Sequence, residues 1–308
     1  MLSPGLKLQI RQELIAAQID AFMENELLAG HTSLGVGGPA DFVVIVRSQE
    51  ELLSLLEIGK TFGVRPFVLG CGTNLLFSSR GYRGLVMKLG GHFNRITIRG
   101  SLVAAGAGAS LPRLARMASA RSLTGLSFAA GIPGTVGGAI KNNAGAFGRE
   151  MAQVVQEVEI CSLKGEMRTF SAKDLHFGYR FCRLPMKGII CKAILKLERG
   201  EKEDILREME EYRRIRREKQ PVGRRTAGSV FRNPHQGSAA RYIEQAGCKG
   251  LAIGGARISP QHANFIENFA NATSDDIEIL IEEVQKKVRE IHGLDLDLEM
   301  EIVACKKD

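Results

Sequence analysis

One stretch limits the possible folds more than any other. Ala129-Ala130-Gly131-Ile132-Pro133-Gly134-Thr135-Val136-Gly137-Gly138-Ala139-Ile140 runs on into Asn142-Asn143-Ala144-Gly145-Ala146-Phe147-Gly148. A polar linker of this glycine content is rich in serine and charge, whereas Ile132, Val136, Ala139 and Ile140 want burial. The run is therefore expected to be a packed loop. Glycine permits positive φ and lacks Cβ, so successive N–H groups can form a concave nest for an anion such as a pyrophosphate. A set of tight turns between strands is the other reading; the density of glycine favours the ligand wall.

The 308 residues suffice for two domains or three smaller units. With 44% apolar and 25% charged residues and no low-complexity tract, disorder and solenoid readings lose support. A formal charge of +8 and a pI near 9.3 point to an anionic partner: nucleic acid, a membrane surface or a phosphorylated small molecule. The densest basic cluster, Arg213-Arg214-Ile215-Arg216-Arg217-Glu218-Lys219 with Arg224-Arg225, continues an acidic helical segment and reads by default as a solvated helix face. Cys71, Cys161, Cys182, Cys191, Cys248 and Cys305 form no CxxC pair, and the histidines form no HExxH. No metal site is expected, and the cysteines read as reduced thiols of a cytoplasmic protein. The N-terminus lacks a hydrophobic signal core, and no run of about 18 apolar residues offers a membrane span.

Apolar spacing predicts a helix over residues 7–28, then a turn-rich segment and a strand from Phe42 to Val46. A helix (Gln49 to Phe62), strands (Pro66 to Leu69, Leu85 to Leu89), a strand at Leu102 to Ala105 and a helix from Leu111 to Ser122 continue an α/β alternation. Strands at Val154 to Ser162 and Ile189 to Leu197 follow, then a charged helix from Glu201 to Lys219 that reads as a boundary. The α+β tail is predicted to hold a short helix (Ala239 to Ala246), a strand at Phe265-Ile266, a long amphipathic helix ending at His292 and a strand from Leu296 to Val303.

Gly70-Cys71-Gly72-Thr73-Asn74-Leu75-Leu76 follows a strand, where α/β folds often bind ligands. It lacks the third glycine of GxGxxG, and no GxxxxGK[ST] occurs, so two separated glycine nests suggest an extended dinucleotide held in another way. Phe177-Gly178-Tyr179-Arg180 places an arginine beside aromatic residues, suited to a carboxylate or a cofactor. Ala227-Gly228-Ser229-Val230-Phe231-Arg232-Asn233-Pro234 encloses a serine poorly explained as a solvated turn, although no G-x-S-x-G hydrolase elbow is present. Strand alternation through Glu299-Met300-Glu301 sends both carboxylates to one face.

Taken in order, Thr32 to Asp41, Leu69 to Leu76, Ala130 to Gly138 with Asn143 to Ala146, Phe177 to Arg180, Ala227 to Pro234 and Leu298 to Ile302 resemble the UDP-N-acetylenolpyruvoylglucosamine reductases, flavoproteins of peptidoglycan precursor synthesis. The resemblance implies an α+β protein. An FAD-binding region of the vanillyl-alcohol oxidase and p-cresol methylhydroxylase type, made of two α/β subdomains (1–90, with the N-terminal helix, and 91–200), precedes a small substrate-binding domain (201–308). It implies FAD at Gly70, Cys71, Gly72, Thr73, Asn74, Leu75, Ala130, Gly131, Ile132, Pro133, Gly134, Thr135, Gly137 and Gly138. In the family NADPH reduces FAD, hydride passes to C3 of the enolpyruvyl group, and C2 is protonated. Ser229 matches the proton donor, and Arg180 and Glu301 match the groups that stabilise the enolate-like intermediate. Each oxyanion-type donor is worth about 3 kcal/mol. A carboxylate repels an enolate, so Glu301 is expected to act protonated or through a hydrogen-bond relay. Lys219, Asn233 and His262 match substrate-site positions.

The short span from Arg180 to Ser229 resembles the family's shorter class, which lacks an inserted tyrosine-bearing loop. Phe181-Cys182, Lys141 and Ser78-Ser79 depart from its usual pattern. The expected partners are a UDP-linked enolpyruvyl sugar and NADPH, with no nucleic acid or membrane, and the expected form is a cytoplasmic monomer. The alternatives are another FAD-dependent oxidoreductase of this fold, or a non-catalytic basic protein that binds anions or nucleic acid.

Overall fold

The computed structural model describes residues 2–304, so Cys305 lies outside the described residues. Helix α1 (Pro4–Ala16) starts where the Ser3 hydroxyl accepts from the Leu6 N–H and proline occupies the first turn. Strand β1 (Phe22–Leu27) follows, where the apolar spacing predicts helix to residue 28. Gln18 turns the chain left-handed at φ 58°, and residues 22–27 pair antiparallel with β2 (Pro39–Val46), so sheet pairing overrides the helical pattern. Helix α2 (Gln49–Thr61) is capped by Ser48 and carries Glu50 and Glu51 in its first turn. Strands β3 (Phe67–Val68), β4 (Leu75–Phe77) and β5 (Tyr82–Leu89) complete the first unit. Its sheet runs β1-β2-β5-β3, with β2, β5 and β3 parallel; β4 stands outside it.

The second unit comprises β6 (Ile96–Arg99), β7 (Leu102–Gly106), α3 (Leu111–Ser119), β8 (Leu123–Thr124), α4 (Val136–Lys141), β9 (Gly145–Ala146), β10 (Arg149–Glu150), β11 (Val155–Ser162), β12 (Met167–Ser171), β13 (His176–Gly178), β14 (Phe181–Arg183), β15 (Gly188–Lys196) and β16 (Glu198–Arg199). Its main sheet, β12-β11-β15-β7-β6, is antiparallel throughout. Leu111, Leu114, Ala115 and Ala118 of α3 bury one helix face in the same core as Val103, Val158, Ile160 and Leu195 of the sheet. The glycine run is compact, as expected: a 3-10 turn over Ser127–Gly131, then α4, whose N-cap Thr135 accepts from the Gly138 N–H.

Helix α5 (Lys202–Lys219) buries Ile205 and Met209 in the core of this second unit, so the helix that reads as a boundary is packed against what precedes it. Beyond it come α6 (Ala239–Gln245), β17 (Ala252–Ile253), β18 (Ala256–Ile258), β19 (Ile266–Asn268), α7 (Ser274–His292) and β20 (Glu301–Val303). Helix α7 has a Thr273/Asp276 capping box and a left-handed Gly293 at its end. Its face of Ile277, Leu280, Ile281, Val284 and Val288 packs in one core with Ile258 and Ile266. The last strand returns to the first unit, running parallel to β4 with Glu301 opposite Leu75.

Candidate active site

The two glycine segments meet. The Thr73 hydroxyl donates to the Pro133 carbonyl at 3.1 Å, and a Cβ on Gly70 would stand 2.8 Å from the Thr135 Oγ1. Gly72, at φ +62°, passes so close to the 31–32 backbone that a Cβ would lie 2.2 Å from the His31 carbonyl oxygen. Between the units lies a cavity of about 800 Å³, lined by Gly70, Cys71, Thr135, Gly137 and Gly138 and rimmed by Arg65, Lys88, Lys141, Arg183 and Lys187. Among the described residues, the N–H groups of Gly70, Cys71, Gly72 and Thr73 donate to no protein acceptor. Consecutive unpaired donors, a cationic rim and a cavity of this size suit a dinucleotide with a diphosphate and a flat ring. Of the other wall residues, Ala130 and Gly131 end the 3-10 turn, Ile132 and Pro133 lead to Gly134 at φ +153°, and Leu75 begins β4.

At the Thr73 end the serine segment arrives. A Cβ on Gly228 would lie 3.7 Å from the Thr73 carbonyl oxygen, and Ser229 is bridged to Phe265. The backbone of Val230 accepts from the Glu299 and Met300 N–H groups. The half-buried Ser229 hydroxyl has no hydrogen-bond partner among the described residues. Asn74 ties the glycine loop to the same segment, its amide donating to the Glu299 carbonyl at 3.0 Å.

Arg180 occupies the tip of the β13–β14 hairpin at φ 61°, a conformation that turns usually give to glycine or asparagine. A positive φ in a non-glycine residue costs free energy that the surrounding contacts offset. Its guanidinium donates from Nη1 to the Gly145 carbonyl at 2.9 Å, and its Nε lies 3.1 Å from Glu299 Oε1 as an ion pair without hydrogen-bond alignment. Burial pushes the Glu299 carboxyl above its ordinary range, while Arg180 and then Arg232 pull it back.

The alternation expected for Glu299-Met300-Glu301 is therefore corrected. Residues 299–300 form a bend and the strand starts only at Glu301, so the two carboxylates part. Glu299 turns to Arg180, whereas Glu301 is exposed and lines the cavity beside the glycine loop, its N–H donating to the Asn74 carbonyl.

The three substrate-site candidates lie around this end of the cleft in different states. Asn233 is exposed; its Oδ1 accepts from Ala239 N at the start of α6, and its N–H reaches the Tyr179 hydroxyl at 3.4 Å. His262 is half-buried against Phe265, and its Nδ1 accepts from the Asn264 N–H. Burial holds its imidazole below the ordinary range, so it is a neutral ring with its proton on Nε2 at pH 7. Lys219 is exposed at the end of α5, whose last carbonyls accept from the Gln261 side chain next to His262.

Sequence reasoning missed Glu299 as the partner of Arg180 because it placed the start of the strand at Leu296, five residues too early. It also missed the partial burial of Arg216, hidden in a basic cluster that reads as solvated; only the helical period, turning residue 216 to the face of Ile205 and Met209, signals it.

A glycine-walled, cation-rimmed cavity with a free hydroxyl and a constrained guanidinium beyond it is arranged for chemistry between a dinucleotide and an anionic substrate. A family model for an FAD binding domain matches residues 40–171, the span holding both glycine segments, and with the site this defines an FAD-dependent oxidoreductase of α+β architecture. A second model, for the C-terminal domain of UDP-N-acetylenolpyruvoylglucosamine reductase, matches residues 220–303. Reductases of that name from Anoxybacillus flavithermus (41% identical, over 97% of this chain and 99% of the relative) and Bacillus subtilis (39%, over 96% and 98%) are similar along nearly their whole length. The crystal structure of the reductase from Thermus caldophilus superposes with a TM-score of 0.80 at 40% identity, covering 90% of this chain and 97% of that one. The chain belongs to the UDP-N-acetylenolpyruvoylglucosamine reductase family.

Proposed function

We propose that this chain reduces the enolpyruvyl ether of UDP-N-acetylglucosamine enolpyruvate to UDP-N-acetylmuramate, with NADPH as reductant and FAD as its cofactor. The observation that carries the reading is the placement of the free Ser229 hydroxyl beside the glycine loop and within one backbone hydrogen-bond network with Glu299, the partner of Arg180. Bound FAD would supply the hydride acceptor and donor. Ser229 is then the group that delivers a proton to C2, and Arg180 faces the negative charge that builds on the carboxylate-conjugated carbon. Glu299 keeps that guanidinium in place. Glu301 reaches the cavity from the glycine-loop side and is the second candidate to share the intermediate's charge, as a protonated acid or through a relay. Lys219, His262 and Asn233 are proposed to hold the anionic and polar parts of the UDP-sugar.

A monomer is the proposed working form. Free thiols at Cys71, Cys161, Cys182, Cys191 and Cys248 support a reducing compartment, the cytoplasm. Among the described residues no helix is long and apolar enough to cross a membrane.

The test is a spectrum. The protein should purify yellow, bleach with NADPH, and regain colour when the enolpyruvyl substrate is added anaerobically. Ser229→Ala should keep the first half-reaction and slow the second by at least about a hundredfold, the lower range for a positioned proton donor. Equal losses in both would assign Ser229 to structure, and a protein without colour would overturn the reading.

A further inference from the structure

From residue 58 to residue 149 the chain carries twelve Lys and Arg and not one Asp or Glu. The cavity between the first and second units takes Arg65, Lys88 and Lys141 on its rim, but not Arg95, Arg99 or Arg121. These three are exposed, and among the described residues their guanidinium groups have neither an ion pair nor a hydrogen bond. Arg95 and Arg99 stand at the two ends of β6, the outer strand of the five-stranded sheet. The Gly106 N–H donates to the Arg95 carbonyl, which sets the antiparallel alternation. Thr97 therefore exchanges bonds with Ala104, and the N–H and C=O of Ile96 and Ile98 point away from β7. Among the described residues nothing pairs with them from that side. The side chains of Ile96 and Ile98 share one face and, with Met117 and Ala120 of α3, line an open groove of about 350 Å³ that Arg121 flanks.

Cations along an open edge keep a sheet from pairing with its own kind. Two copies joined at β6 with Ile96 opposite Ile98 would set Arg95 against Arg99, an unfavourable like-charge pair. The same charges admit an acidic strand. The open groups are acceptors as well as donors. A nucleic-acid or lipid phosphate only accepts and leaves the carbonyls of Ile96 and Ile98 unmet, whereas a polypeptide answers both kinds of group. We propose that β6 is a docking edge for an extended acidic segment of a partner protein. The segment adds as a sixth strand and lays alternate apolar side chains in the groove. Its carboxylates, on the opposite face, meet Arg95 and Arg99.

The test uses the full chain and a fluorescein-labelled, end-blocked octapeptide of alternating glutamate and valine. Its anisotropy should rise saturably with added protein, and hydrogen exchange at the Ile96 and Ile98 amides should slow when it binds. Arg95→Glu combined with Arg99→Glu should weaken the peptide about tenfold or more, since both cations face its carboxylates. The same peptide with every backbone nitrogen methylated keeps each charge and side chain but has no N–H to pair, and should also bind at least about tenfold more weakly. Absence of saturable binding overturns the proposal. Equal affinity for the methylated peptide, or binding that leaves the Ile96 and Ile98 amides exchanging at their original rate, overturns it too, because charge attraction alone would then explain the contact. If a thymidine dodecamer or phosphatidylglycerol vesicles slow those amides and the peptide does not, the face belongs to phosphates and the proposal fails.

Discussion

Glu299 and Glu301 stand two positions apart and have different work. Glu299 is held by its own backbone bonds to Val230 and Asn74 and contacts Arg180, whose left-handed turn needs an external hold. Removing the carboxylate frees the guanidinium and takes away the negative charge that both Arg180 and Arg232 act on. Glu299→Ala should therefore slow reoxidation by substrate about tenfold or more while NADPH reduction is kept, and should lower stability by about 1–3 kcal/mol. Glu299→Gln, which preserves shape, should lose less stability, and Glu301→Ala, at an exposed site, almost none. Half-reaction rates by stopped flow and urea midpoints check the set; a Glu299→Ala enzyme with wild-type reoxidation would remove the positioning role. The pair also marks a limit of reading at this scale. Ser229 and Arg180 stand out by their neighbours along the chain, but which glutamate meets Arg180 depends on where a strand begins, and a bend at 299–300 follows from packing against Val230 rather than from local preference.

Elements with strong periodicity were legible: α2, α3, α5 and α7 fall within a few residues of their expected spans, because capping groups and apolar stripes act locally. The residues of β1, the edge strand β12 and the β13–β14 hairpin were not, since each is made by a partner far along the chain or by a single unusual turn residue. Strand β4 shows what sequence could not show. It is three residues long, with Leu76 buried in the core that holds α7 and Phe77 buried in the core of the first unit, by simple strand alternation. It also leads directly from the glycine loop. Leu76→Ala should therefore destabilise the chain by about 2–4 kcal/mol through the cavity it leaves, and should weaken FAD retention by loosening the loop at Asn74. Urea unfolding and cofactor release on gel filtration measure the two effects. A stability loss with fully retained FAD would separate the strand from the loop.

At the scale of the molecule, buried cores run across the expected unit boundaries. Cys161, Ile189 and Cys191 of the second sheet are buried with Phe42, Leu55 and Met87 of the first unit. Helix α5 packs into the second unit, and β20 extends from the last unit to β4. Proteins of this length commonly unfold in stages, yet shared cores favour a single transition. The buried cysteines report which occurs: Cys161 and Cys191 lie between the first and second units, Cys182 within the second and Cys248 in the last. Burial pushes all four thiols above their ordinary range, Cys191 up to about 12, so at pH 8 each is both inaccessible and protonated while folded. Cys71, exposed in the cavity between the first and second units, should label first on account of its access, although burial raises its thiol too, and FAD should protect it. Pulse labelling across a urea series, read by peptide mass spectrometry, should then show the four buried thiols reacting over one common range. If Cys248 reacts at clearly lower urea than the other three, the β20–β4 pairing does not couple the unfolding of the last unit to that of the first.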